Sequence, residues 1–120
     1  MTIAFDIDDT LIVPSVVTGM DRDTPNYDNI AIFKWFQTQG HEMFLWSGSG
    51  TDWATTWGEK LGLRPFKVLI KEKNDAIDIA FDDCDVDLGK VNIKVKRINN
   101  HISRKYWNKS KQLNKEGDKE

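Results

Sequence analysis

Cysteine is nearly missing from this chain. One residue, Cys84, in 120 excludes an intramolecular disulfide and any cysteine-rich zinc cluster, and it fits a reducing compartment. No apolar run approaches the roughly 20 residues of a membrane span, and Met1 leads straight into a strand-like segment, so neither a transmembrane nor a signal segment is expected. The expected location is cytoplasmic. Histidine is equally sparse: His41 and His101 stand alone, and neither is assigned chemistry. One domain is expected at this length, and a chain of this size buries roughly two-thirds of its extended surface, enough for one core without disulfides.

Glutamate is scarce as well, with 5 Glu against 14 Asp. Glu usually decorates solvated helices, whereas Asp favours turns, caps and metal sites. The charges are also segregated. Residues 1–93 carry 8 basic and 16 acidic side chains, and residues 94–120 carry 9 basic and 3 acidic, so a net charge of −2 hides two opposite fields.

Apolar runs and turn residues predict the elements. Thr2 to Phe5 reads as a buried strand ending at Asp6, and Glu42 to Trp46 as a second. Phe66 to Ile70 and Ile77 to Phe81 read as a third and fourth. Val91, Ile93 and Val95 alternate with Asn92, Lys94 and Lys96, which predicts a fifth strand with one wet face. A helix between Asn26 or Asp28 and Gly40 carries Ile30, Phe33 and Phe36; another runs from Asp52 to about Leu61, with Gly62 as its stop. Pro14, Gly19 and Pro25 mark residues 11–29 as a loop or hairpin excursion. Trp35, Trp46, Trp53 and Trp57 are expected as core or sheet-packing residues, with the mouth of a site as the alternative for Trp53.

Strands separated by helices predict an α/β fold with a mainly parallel five-stranded sheet. Residues 1–100 form the expected domain, and residues 101–120 a basic, partly disordered helix or tail. In such sheets ligands bind beyond the carboxyl ends of the strands. Asp6 and Asp8, Ser47, Lys71, and Asp82 all follow predicted strand ends. Four strands therefore deliver polar termini to one edge.

Asp6-Ile7-Asp8-Asp9-Thr10, Ser47 after Met43-Phe44-Leu45-Trp46, Lys71 after Val68-Leu69-Ile70, and Asp82-Asp83 after Ile79-Ala80-Phe81 together resemble the four motifs of the haloacid dehalogenase superfamily of phosphatases. The resemblance spans roughly residues 2–97, with one departure: Asp9 stands where Gly is common. It implies a three-layer, Rossmann-like sandwich of strand order 3-2-1-4-5 and a Mg²⁺-dependent phosphatase. Asp6 is then the nucleophile that forms an aspartyl phosphate, and Asp8 the general acid and base. Asp6, the Asp8 main-chain carbonyl and Asp82 are the implied metal ligands, with Asp83 an outer-shell or second acidic ligand. Ser47, Gly48 and Ser49 are the implied phosphoryl-binding residues, and Lys71 neutralises Asp6 and the transferred group. Lys73 competes with Lys71 for that position. Asp85 and Asp87 read as a solvated acidic loop, and Cys84 as a packed residue. A receiver-type phosphoryl acceptor would need an Asp at the end of a middle strand, where Ser47 stands instead.

Neither the 11–27 excursion nor residues 48–70 is large enough for a folded cap domain, so the site is expected to be capless and open. The expected partner is a phosphorylated substrate, with no membrane. Val13, Pro14, Val16 and Val17 are the expected flap tip or contact with a second copy of the chain. Lys94, Lys96, Arg97, Arg104, Lys105, Lys109 and Lys111, interleaved with Tyr106 and Trp107, offer an alternative. They would track nucleic-acid phosphates, making the chain a polynucleotide-end phosphatase or a non-catalytic nucleic-acid-binding module.

Overall fold

The computed structural model describes residues 1–15 and 23–97. The expected helix or tail beyond residue 97 lies outside the described residues, as do Val16 and Val17. Five strands form one sheet: β1 (Thr2–Asp6), β4 (Glu42–Trp46), β5 (Lys67–Val68), β6 (Ile79–Asp82) and β7 (Val91–Lys94). Their spatial order is β5-β4-β1-β6-β7, and every neighbouring pair is parallel. The central strands are apolar without alternation because both of their faces are covered. Ile3, Ala4, Phe5, Leu45 and Trp46 are all fully buried.

Two helices complete the α/β fold. Helix α1 (Tyr27–Thr38) begins at Asn26, whose side-chain oxygen accepts the Asn29 N–H. Helix α2 (Thr51–Lys60) begins at Gly50 and stops before Gly62, which takes the left-handed conformation with φ 67°. The β1-α1-β4 and β4-α2-β5 crossovers step the same way across the sheet, and right-handed crossovers then place both helices on one face. Ile3, Phe5, Met43 and Leu45 pack there with Ile30 and Phe33 of α1 and Ala54 of α2. Phe5 stacks on Phe81 at 4.4 Å between ring centroids and meets Phe33 edge-on at 5.3 Å. Each such ring contributes about 1.5–3 kcal/mol by burial.

The opposite face holds Ala4, Phe44, Trp46 and Ala80, covered by Ile77, Leu69 and Leu88 from the connecting segments. The β5-to-β6 return crosses this face without a helix. A third layer of helices is therefore not found among the described residues, and loop side chains close the core instead.

Other differences from expectation have local causes. The third strand shortens to two residues, and Ile77 leaves the fourth for the turn that packs against Trp46. On β7 the expected apolar side is covered only at its end: Val91 and Ile93 are 53% and 39% exposed, Val95 packs partly buried against the core, and Lys94 and Lys96 are exposed as expected. Trp35 is 58% exposed on the outer face of α1, whereas Trp46 is fully buried. Trp53 and Trp57 meet edge-on at 6.1 Å and pack partly buried against the core.

The excursion after β1 is a hairpin of two short antiparallel strands, β2 (Ile12–Val13) and β3 (Thr24–Pro25). Val13 and Pro14 are buried, so they do not present the expected flap tip or contact surface. No helix among the described residues is long and apolar enough to cross a membrane.

Candidate active site

The site forms where β1 ends. A tight turn follows Asp6: the Ile7 carbonyl accepts N–H groups from Thr10, Leu11 and Ile12 at 3.2, 2.8 and 3.2 Å. Asp9 supplies the left-handed residue with φ 65°, a conformation Gly adopts freely and Asp tolerates better than most. The Asn29 side chain of α1 donates to the Thr10 carbonyl at 2.7 Å and ties the helix to this turn. Thr10 is consequently fully buried, with its hydroxyl 3.4 Å from Asp6 Oδ2 and 3.4 Å from Asp83 Oδ1.

Neighbouring strands complete the cluster. Parallel pairing of β1 with β6 sets Phe5 beside Phe81 and so places Asp82 and Asp83 at the edge where Asp6 emerges. The segment after β5 crosses back over the loop face and delivers Lys71. Its Nζ lies 3.1 Å from Asp6 Oδ1 and 2.6 Å from Asp82 Oδ2. The second Asp82 oxygen accepts the Cys84 N–H at 3.0 Å. Asp83 receives Arg97 Nε at 2.6 Å on Oδ2.

Burial sets the electrostatics. Asp6, Asp82 and Asp83 are all nearly inaccessible. Loss of water raises Asp6 well above the usual carboxylate range; Asp82 and Asp83 push the same way, and Lys71 opposes them. Asp82 is raised by burial too, against the Lys71 ammonium and the Cys84 N–H. Burial works against the charge on Lys71, but Asp6 and Asp82 outweigh it and hold the ammonium protonated. Cys84 is exposed and not packed as expected; partial desolvation and Asp83 raise its thiol, which favours the neutral form.

The remaining expected residues stand around this centre. Asp8 is half-buried, with the Ser49 hydroxyl donating to its Oδ2 at 3.4 Å. Ser47 is buried and follows Trp46, the register partner of Asp6. Its Oγ accepts the Ser49 N–H at 3.0 Å, and its carbonyl accepts the Gly50 N–H at 3.1 Å. The Ser49 N–H is thus turned onto Ser47, which differs from the expected donor to a phosphoryl group. Gly48 is exposed in the same turn.

No protein-family model, curated protein or solved structure matches this chain.

Lys73 pairs with Asp87 at 2.9 Å on the surface, away from Asp6, and Lys94 pairs with Asp85 at 3.3 Å. Lys71, and not Lys73, therefore reaches the cluster, and Asp85 and Asp87 belong to the solvated loop. Asp6, Asp8 and Asp82 offer only hard oxygen donors, and the Lys71 ammonium bridging Asp6 and Asp82 shows that two of them converge on one cation. Oxygen donors of this kind suit Mg²⁺, but the described side chains whose ligand atoms gather within 4.8 Å of one another are those of Asp82, Asp83 and Cys84.

Sequence reasoning missed two contributors. Thr10 closes the first motif, but its hydroxyl carried no assigned role; the signal was its place one turn beyond Asp6. Arg97 was grouped with the basic tail, although it stands just beyond the end of β7, the position at which the other strands carry their site residues.

Proposed function

We propose that the chain is a Mg²⁺-dependent phosphomonoesterase working through an aspartyl phosphate on Asp6. The observation that carries this reading is the Lys71 ammonium bridging Asp6 and Asp82, two buried carboxylates from different strands at the carboxyl edge of a parallel sheet. Four carboxyl groups, Asp6, Asp8, Asp82 and Asp83, stand at this edge with two cations, Lys71 and Arg97. Burial raises Asp6 and Asp82 above the ordinary carboxylate range, and a divalent cation would favour their charged forms. The strand order β5-β4-β1-β6-β7 also agrees with the order that the motif resemblance implies, and the short hairpin excursion with a capless member.

Asp6, Asp82 and the Asp8 carbonyl would hold Mg²⁺, which when bound supplies charge neutralisation that lets an anionic nucleophile approach a phosphate dianion. Asp6 attacks phosphorus, a new O–P bond forms, and the ester O–P bond breaks. Asp8 gives its proton to the departing alkoxide, as a general acid two residues from the nucleophile. The Asp8 carboxylate then takes a proton from water, whose oxygen attacks phosphorus. The acyl O–P bond breaks, inorganic phosphate leaves, and the Asp6 carboxylate is restored. Lys71 stays beside Asp6 throughout and offsets the charge that accumulates on the phosphoryl oxygens. Ser47, with Gly48 and Ser49 in its turn, supplies the polar wall on the β4 side; reaching phosphate with the Ser49 N–H requires its bond to Ser47 Oγ to open.

Acid quench during turnover, followed by peptide mass mapping, tests the covalent step. A phosphoryl adduct is expected on the peptide containing Asp6 and is absent from Asp6→Asn; an adduct elsewhere, or none, overturns it. Of the basic residues expected to track nucleic acid, Lys94 and Arg97 are paired with Asp85 and Asp83. The polynucleotide-end alternative therefore rests on Lys96, which is exposed, and on residues beyond 97.

A further inference from the structure

Two cations divide three buried carboxylates between them. Lys71 is within ion-pair distance of Asp6 and Asp82, while Asp83 is held by Arg97 Nε at 2.6 Å. Both oxygens of Asp83 are engaged, since Thr10 Oγ1 approaches Oδ1 at 3.4 Å. The same guanidinium reaches Cys84 Sγ through Nη2 at 3.0 Å. Ligand atoms of Asp82, Asp83 and Cys84 lie within 4.8 Å of one another, so Asp83 and Cys84 stand within reach of any cation held by Asp82. Arg97 covers both. Its side chain is only 15% exposed, so this is a packed contact and not a mobile surface pair.

We propose that Arg97 is a positioning residue that clamps Asp83 away from the cation, leaving Asp6 and Asp82 as the carboxylates that face it. The inference rests on the phosphatase reading and assigns a residue that the motif resemblance does not include. Arg97 meets the outer carboxylate and Cys84 Sγ with separate nitrogens of one planar guanidinium. Removing it takes a positive charge from the rim and frees a third carboxylate. Both changes tighten divalent-cation binding, because affinity rises with ligand charge. Turnover falls, because a cation drawn toward Asp83 is displaced from Asp6.

The test uses the full chain, with Mg²⁺ binding followed by titration calorimetry and phosphate release followed at saturating Mg²⁺. Arg97→Ala is expected to bind Mg²⁺ about tenfold more tightly and to turn over about tenfold more slowly. Adding Asp83→Asn to Arg97→Ala is expected to return the Mg²⁺ Kd to within about twofold of the unmutated chain, since the freed ligand is gone. A purely structural Arg97 would weaken or leave unchanged both quantities together, and Asp83→Asn would not restore the Kd; that result overturns the inference. If the Ala variant does not fold, Arg97→Gln carries the same expectations with a side chain closer in size. Absence of Mg²⁺ binding and of turnover in the unmutated chain overturns the phosphatase reading and this inference together. Normal wild-type behaviour with an unshifted Kd in Arg97→Ala and Arg97→Gln overturns this inference alone.

Discussion

The Lys71 ammonium lies 3.1 Å from the Asp6 carboxylate across 65 residues of chain. The contact depends on β5 pairing with β4, because the segment that follows β5 carries Lys71 back over the sheet edge. Lys71→Met keeps the stem but removes the charge. It is expected to lower turnover about 100-fold and to destabilise the metal-free chain by about 3 kcal/mol, since two buried carboxylates lose their cation. Lys73→Ala, which breaks an exposed pair with Asp87, is expected to leave turnover within about twofold. Steady-state kinetics and denaturant melts on the two variants check both statements.

Stability without divalent cations is expected to fall as pH rises. Asp6 and Asp82 hold their protons above the ordinary carboxylate range in the folded chain, chiefly through burial. Between that range and the raised values the folded state binds more protons than the unfolded one. Stability is therefore greatest below the unfolded pKa and is lost as pH rises through the folded pKa. Asp6→Asn removes one titrating group and is expected to flatten the slope. At neutral pH it is expected to raise Tm by about 4 °C, about 1 kcal/mol for a domain of this size. Thermal melts in EDTA from about pH 4 to pH 8 span the ordinary carboxylate range and the values above it. A slope of opposite sign, or one unchanged in Asp6→Asn, contradicts the electrostatic account.

Gly58 sits inside α2, where Gly ordinarily costs stability relative to Ala. Here a Cβ would stand 2.5 Å from Leu45 Cδ1 and 2.5 Å from Phe66 Cζ. Gly58→Ala is accordingly expected to destabilise by about 1–3 kcal/mol through overpacking, despite its better helix propensity. Urea unfolding distinguishes this from the small gain expected at an exposed helical Gly.

Asp9 occupies a left-handed position at φ 65°. Asp9→Gly is expected to fold with unchanged secondary structure, whereas Asp9→Val costs about 1–2 kcal/mol because a β-branched residue resists that conformation. Melting both variants side by side checks the order.

Much of this architecture was legible in the sequence, and the failures share a cause. β1 and β4 were readable because both of their faces are buried, so apolarity alone marks them. The end of β1 at Asp6 was legible because a carboxylate follows the apolar run Ile3-Ala4-Phe5. The exposure of Val91 and Ile93 on β7 was not, since alternation reports two chemically different sides but not how far a neighbour covers the apolar one. Trp35 was misplaced for a similar reason: α1 offers Ile30 and Phe33 for one face, and the Trp35 ring is left on the outer one. Arg97 was hidden by its surroundings, because a cation beside Lys94 and Lys96 reads as part of a basic run. Its pairing with Asp83 depends on β7 lying beside β6, a tertiary fact without local signal.

The central claim is that Asp6 transfers a phosphoryl group in a cation-dependent site. Release of inorganic phosphate from a panel of phosphate monoesters, measured with Mg²⁺, with EDTA and in Asp6→Asn, tests it most directly. Mg²⁺-dependent release that disappears with EDTA and in Asp6→Asn is the expected result. No release from any member of the panel, or release that persists undiminished in Asp6→Asn, would contradict it.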